Sequence, residues 1–237
     1  MVPRSTEEAL RNAGYSKDVV SAFERVKDEH KVKPSKHIIE HENVIFLAVL
    51  PDDSASIKQY GNREAVIKSH NSIIDSLSET REVRKILYRT QYLNGFVLNN
   101  WVPLEEAKRM GEDNFKPEGL SPLYDATISM LGSIVSEKQR AEEIGQEVHW
   151  GLLIISDGDD QGSINTAQDV KTFTDEMKNK GELDEDTKTD RRRFPGSIAF
   201  MGVEDRETNY REVAQSMGIN WILGRDKDDP RGELKEL

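Results

Sequence analysis

Three short segments of the sequence place oxygen-bearing side chains where a metal ion could use them. The first segment directly follows the apolar run 44–50, the second precedes a helical pattern that starts near 122, and the third follows the apolar run 152–155. Carboxylate and hydroxyl oxygens suit hard cations such as Mg²⁺, Mn²⁺ or Ca²⁺, and open α/β sheets bind ligands at the carboxyl ends of their strands. The candidate metal ligands are Asp52, Ser54, Ser56, Ser121 and Asp157.

This ordered set resembles the metal-ion-dependent adhesion site of the von Willebrand factor A domain, over roughly residues 41–224. In that family the site is written D-x-S-x-S, then a Thr before a helix, then an Asp in a strand-end T-D-G-type motif. Ser121 takes the place of the Thr and keeps its hydroxyl. Asp53 fills the variable position after Pro51, so a one-residue shift could bring Asp53 inward instead of Asp52, although the spacing of the first motif disfavours that shift.

The resemblance also implies how such a site works. The three Ser hydroxyls would bind the cation directly or through water, and the two Asp carboxylates would anchor it directly or mainly through water. A Glu or Asp of a partner protein would then complete the shell, since an octahedral Mg²⁺ keeps water positions that an incoming carboxylate can replace. The prediction is a cation-dependent protein-binding domain, with Mg²⁺ as the expected ion and Mn²⁺ or Ca²⁺ as alternatives.

Two other functions stay open at this point. A metal-dependent phosphoryl-transfer or hydrolytic enzyme could use Asp52 or Asp53 as a nucleophile, but the sequence offers no Gly-rich phosphate loop with Lys and no base placed by motif beside Ser54. A purely structural domain with an empty site is the other alternative. Each residue also has an ordinary structural role available: Ser121 before Pro122 is a good helix N-cap, and Asp157 with the following Gly is a common turn pair.

Other polar and aromatic residues receive simpler predictions. Three further carboxylates beyond strand ends are expected to solvate loops, namely Asp159, Asp160 and Glu204. The five histidines show no paired spacing of the kind that zinc sites use. The three tryptophans lie in or next to predicted strands and are expected in the core: Trp101, Trp150 and Trp221.

The hydrophobic pattern predicts an α/β fold with a doubly wound, mostly parallel, Rossmann-like sheet. Asn94-Gly95 is a two-residue hairpin signal, so one edge strand should be antiparallel. The predicted strands are 44–50, 83–92, 96–102, 148–155, 197–203 and 219–223. The predicted helices are 62–78, 122–138, 167–177 and 210–217.

The two ends of the chain differ from this central domain. Residues 1–40 read as a helical appendage, because Ser5 and Ser16 each precede a helical pattern, and its helices should pack on the main domain or on a partner. Residues 41–224 form the predicted main domain, with a charged loop at 181–193, and residues 225–237 form a polar tail.

The composition limits which partners and which cellular compartment we expect for this chain. The formal net charge of -11 argues against nucleic acid as a partner, and the compact basic run Arg191-Arg192-Arg193 is expected to be a solvated loop. The chain contains no cysteine, which fits either a reducing compartment or a chain that avoids thiols, and we expect a cytoplasmic protein. It also shows no apolar run long enough for a membrane span and no signal peptide, so no membrane role is expected.

Overall fold

A computed structural model describes residues 5–32, 35, 37, 41–183, 196–203 and 209–223. Several predictions fall outside these residues: most of the charged loop with Arg191-Arg192-Arg193, Glu204, and the tail 225–237. Among the described helices, none is long and apolar enough to cross a membrane.

The described residues form one six-stranded sheet with helices on both faces. Its strands are β1 Asn43–Pro51, β2 Ile86–Gln91, β3 Val97–Pro103, β4 Glu147–Ser156, β5 Gly196–Gly202 and β6 Trp221–Leu223. The strand order is β3-β2-β1-β4-β5-β6, with β3 antiparallel to β2 and all other pairs parallel. The predicted fold class, a mostly parallel α/β sheet with one antiparallel edge strand, is confirmed.

The helices and strands agree with the sequence pattern in most places, and their differences are local. They are α1 Thr6–Asn12, α2 Lys17–Arg25, α3 Ala55–Gln59, α4 Arg63–Ser78, α5 Leu123–Glu143, α6 Ala167–Asn179 and α7 Tyr210–Ser216. The short helix α3 has no counterpart in the sequence prediction. The strand predicted from residue 83 begins only at Ile86, because Val83–Lys85 forms a 3-10 turn.

The N-terminal helices pack on the main domain. In α2, Val19, Val20 and Phe23 are buried in the same core as α5 and α6. The ring of Phe23 lies where Gly132 of α5 has no side chain, since a Cβ there would come within 2.6 Å of the ring. Arg25 adds an ion pair of 2.7 Å to Asp169 in α6. Residues 5–26 are therefore an outer layer of one core.

The predicted core position of the tryptophans holds for two of the three. Trp101 and Trp150 are buried, and the Phe46 ring meets the Trp101 ring edge to face at 5.3 Å. Trp221 is only half-buried at the edge strand β6. The two buried tryptophans thus lie in β4, at the centre of the sheet, and in the edge strand β3.

The topology brings the candidate ligands to one place. Parallel pairing sets Pro51 of β1 opposite Ile155 of β4, so the residues that follow these two strands emerge side by side. The chain leaves β1 through α4 toward β2, whereas β4 leads through α6 to β5 on the other side. The gap between β1 and β4 is thus the point where the strand order reverses, which is where open α/β sheets bind ligands.

Candidate metal centre

All five predicted ligands lie in one continuous chain of hydrogen bonds. The Ser121 hydroxyl donates to Asp52 Oδ2 at 3.2 Å, and the Ser54 amide donates to Asp52 Oδ1 at 2.8 Å. The Ser54 and Ser56 hydroxyl oxygens lie 2.8 Å apart. The Ser56 hydroxyl in turn donates to Asp157 Oδ2 at 2.5 Å. Three loops that are distant in sequence therefore place five oxygen-bearing side chains around one point.

The loop after β1 presents its alternate residues to this point. Asp52 closes a tight turn by accepting the Ser54 amide, and helix α3 begins directly afterwards at Ala55. Ser54 occupies the N-cap position of α3, yet its side chain makes no capping hydrogen bond. Its hydroxyl is directed to Ser56 instead, so the short helix serves to hold two hydroxyls together.

Ser121 has a different local role from the N-cap that its sequence position indicates. Helix α5 starts at Leu123 with Pro122 in the N-cap position, one residue later than predicted. The first free amides of α5 are bound by another loop, because Asp160 accepts from the Tyr124 amide and the Ser163 hydroxyl accepts from the Asp125 amide, both at 3.1 Å. The hydroxyl of Ser121 is thereby left for Asp52.

The loop after β4 is held firmly beneath Asp157. The amide of Asp159 donates to Asp157 Oδ1 at 3.0 Å, which leaves the other oxygen facing Ser56. Further along, the buried Asp125 carboxylate accepts from the amides of Ile164 and Asn165 at 3.0 Å each. The Asp157 carboxylate, which is fixed by the Asp159 amide, is therefore oriented before any ligand arrives.

Two residues near the centre have contacts that the sequence prediction missed. Ser156, just before Asp157, donates to Asp52 Oδ2 at 2.7 Å and accepts from the Gly158 amide at 3.0 Å. Sequence spacing alone does not signal this contact, because it depends on the register of β4 against β1. Asp160 does more than solvate a loop, because its carboxylate also accepts from the Ser163 hydroxyl at 2.6 Å.

The neighbouring Asp53 is turned away from the centre. Its carboxylate accepts from the Asn94 amide at 3.2 Å, in the turn between β2 and β3. Burial raises the pKa of Asp53 to about 7, and the nearby Asp52 adds to the increase. The one-residue shift that would replace Asp52 by Asp53 does not occur.

The centre concentrates negative charge in a buried place. Asp52 is 0% exposed and Asp157 is 1% exposed, while Ser121 and Ser54 are also buried. Burial raises the pKa of Asp52, and the hydrogen bonds from Ser156, Ser54 and Ser121 only partly oppose that increase. In the described part of the chain, hydrogen bonds and no Lys or Arg stabilise the Asp52 carboxylate. A buried carboxylate without a countercharge is costly, and a divalent cation would supply that charge.

The donor set decides which ions fit. Among the described residues, no group of three or more His, Cys, Asp or Glu side chains is arranged to hold a metal. The candidate centre contains two carboxylates, and its remaining donors are hydroxyls. Hard cations with water in part of their shell accept such a set, whereas zinc and copper sites depend on nitrogen and sulfur ligands.

The chain matches no protein-family model, and a comparison with curated proteins finds no match. Its function must therefore be argued from the centre itself and from the fold that positions it.

Proposed function

We propose that this chain is a divalent-cation-dependent protein-binding domain of the von Willebrand factor A type. In this proposal Mg²⁺ is held by Asp52, Ser54, Ser56, Ser121 and Asp157, and the bound ion holds an Asp or Glu of a partner protein. The observation that carries the proposal is the hydrogen-bonded chain of these five side chains, with two buried carboxylates, where the strand order reverses.

The spacing of the hydroxyl oxygens is compatible with a small cation. Mg²⁺ binds oxygen at about 2.0–2.1 Å in an octahedron, so adjacent ligand oxygens lie roughly 2.9 Å apart. The Ser54 and Ser56 hydroxyl oxygens are 2.8 Å apart. Each hydroxyl now bonds to another oxygen of the centre, and an ion at this point would take over those contacts without a large movement of the backbone.

The proportion of charged to neutral donors supports binding of an external carboxylate. Three of the five donors are neutral hydroxyls, and with both Asp carboxylates acting mainly through water the ion would have few directly bound charges and would keep its attraction for a further anion. A partner carboxylate could then replace a bound water, and it would add a charge-assisted contact in a buried setting.

An enzyme needs a different arrangement. In the described structure, the Ser54 hydroxyl pairs with the Ser56 hydroxyl, and Ser56 in turn bonds to Asp157, with no His or Lys as a base. The carboxylate of Asp53 faces a backbone amide in the β2–β3 turn. These contacts favour binding over catalysis. We extend the proposal to a cytoplasmic setting without nucleic-acid or membrane partners, in keeping with the acidic, cysteine-free composition.

Calorimetric titration of metal-stripped protein with Mg²⁺ and Mn²⁺ tests the proposal. The parent should bind one ion, and Asp157→Ala should bind none at millimolar metal. Asp159→Ala is the matched control, because it removes a carboxylate two residues away and keeps the amide that bonds to Asp157. The proposal fails if the parent shows no response to metal, or if Asp157→Ala responds like the parent.

A second measurement addresses the partner. Proteins captured from the native host with immobilised chain should include a partner that is released by chelator and restored by Mg²⁺. Hydrolysis of a phosphoester or peptide by the purified chain, dependent on metal and lost in Asp157→Ala, would favour the enzyme instead.

A further inference from the structure

Large apolar side chains are exposed around the candidate metal centre. Leu120 is 58% exposed, Ile164 is 52% exposed and Phe96 is 51% exposed. All three lie in loops at the carboxyl ends of the parallel strands, the same edge of the sheet as the centre. Ile144, which is 60% exposed, follows α5 and precedes β4, and therefore lies at the opposite edge.

Leu120 and Ile164 stand on two loops that are bonded to each other beside Ser121. The Gln161 amide donates to the Ser121 carbonyl at 2.8 Å, and a Cβ on Gly162 would come within 3.1 Å of Leu120 Cδ1. The Ile164 amide is fixed to the Asp125 carboxylate. Two apolar side chains are thus held in place on this side of the centre while most of their surface stays in water.

Phe96 stands on the other side, near Asp53. The Asn94 amide donates to Asp53 Oδ1, and the Phe96 amide donates to Asn94 Oδ1 at 2.9 Å. The Phe96 ring lies 5.2 Å from the Tyr92 ring, so one face is supported. The turn that carries Phe96 is therefore tied to the residue next to Asp52.

The charge of the chain restricts how a partner can bind there. A net charge of -11 repels a strongly acidic protein at long range. A partner carboxylate would gain mainly from the cation at close range, so contacts beyond the ion must supply the remaining affinity. Burial of exposed apolar surface is the strongest such source that this edge of the sheet offers.

We propose that the partner segment is a single Asp or Glu flanked by apolar side chains, which pack on Leu120 and Ile164 on one side and on Phe96 on the other. This inference rests on the proposed function, because the central carboxylate needs the cation. It adds that recognition depends on the neighbours of the acidic residue, and that the partner is not strongly acidic as a whole.

Blocked synthetic peptides test the inference directly. The probes are Gly-Phe-Glu-Leu-Gly, Gly-Ser-Glu-Ser-Gly and Gly-Phe-Gln-Leu-Gly, each measured by NMR titration in millimolar Mg²⁺. The first should bind at least about 10-fold more tightly than the second, and the Gln peptide should bind no better than the second. Mg²⁺ affinity is measured separately for every protein variant.

Surface variants locate the contact. Leu120→Ser and Ile164→Ser should each remove most of the preference for the apolar peptide while Mg²⁺ affinity stays within about twofold of the parent. Ile144→Ser removes a comparably exposed isoleucine at the far edge and should change nothing.

The outcomes separate this inference from the proposed function. Equal affinity for the two Glu peptides, with Mg²⁺ still bound, overturns the inference alone. A preference that survives in Leu120→Ser and Ile164→Ser overturns the assigned surface. Loss of self-association by the same two variants would show that a second copy of the chain covers this surface, which also overturns the inference. Absence of any Mg²⁺ binding removes both.

Discussion

Replacing Asp52 by Asn should separate the cost of the buried charge from the benefit of the cation. Asp52 is fully buried and accepts hydrogen bonds from Ser54, Ser121 and Ser156 at 2.8, 3.2 and 2.7 Å. Asn has nearly the same shape and no charge, and the hydroxyls of Ser121 and Ser156 can rotate to suit it. In chelator the variant should therefore be at least as stable as the parent, whereas in Mg²⁺ the parent should be the more stable protein.

The size of the expected effect follows from mass action. Mg²⁺ at ~100 times its dissociation constant stabilises the parent by about 2.7 kcal/mol. For a domain of this length, that corresponds to an increase in Tm of roughly 5–11 °C, at about 2–4 °C per kcal/mol. If the substitution weakens binding ~100-fold, the same Mg²⁺ concentration stabilises the variant by only about 0.4 kcal/mol, or roughly 1–2 °C.

Differential scanning calorimetry in chelator and in Mg²⁺ gives both numbers for each protein. Asp53→Asn is the matched control, since it removes the adjacent buried carboxylate that faces Asn94. It should keep the full Mg²⁺ response. A parent-sized Mg²⁺ shift in Asp52→Asn, or its loss in Asp53→Asn instead, would refute the assignment of Asp52 to the centre.

Three further predictions concern other parts of the molecule. Gly132→Ala should lower the free energy of unfolding, measured by chemical denaturation, by about 1 kcal/mol. Overpacking against the Phe23 ring costs about 1–3 kcal/mol, and the better helix propensity of Ala returns about 1 kcal/mol. A net gain in stability would contradict the close packing of Phe23 on Gly132. Ser121→Thr should keep the Mg²⁺ affinity measured by calorimetry, whereas Ser121→Ala should weaken it about 10-fold or more; equal affinity in Ser121→Ala would exclude that hydroxyl as a ligand. Burial lowers the pKa of His70 to about 4, so the unfolded chain takes up a proton there first as pH falls below about 6.5. Between pH 6.5 and 4, urea titrations should show the parent losing stability relative to His70→Gln by up to about 1.4 kcal/mol per pH unit. A constant difference in stability across that range would show that His70 does not titrate as its burial implies.

The sequence was most informative where a periodic pattern and a buried face coincide. The run 44–50 lies within β1 at the centre of the sheet, where both faces are covered, and the stripe from Val66 to Leu77 lies in α4. Parallel neighbours end at the same edge of a sheet, so the sequence alone predicts that Asp52 and Asp157 lie near each other. Whether these residues bind an ion stays a prediction.

Local detail was harder to infer because competing contacts decide it. Ser121 has the sequence of a helix cap, yet the Asp52 carboxylate in the loop after β1 accepts from its hydroxyl. Helix α3 has only 5 residues, too few for a periodic pattern. The contact of Ser156 with Asp52 depends on the register of β4 against β1, which sequence spacing does not specify.

The position of Phe23 over Gly132 also determines which residues a transferable, independently folding unit must include. A recombinant version that starts near residue 41, at the first strand, would lack the ring that fills this gap and would expose the apolar surfaces of α5 and α6 to water. Exposed patches of that kind lead to association and poor recovery. Evolutionary shuffling that preserves the fold must therefore carry residues 5–26 together with the sheet.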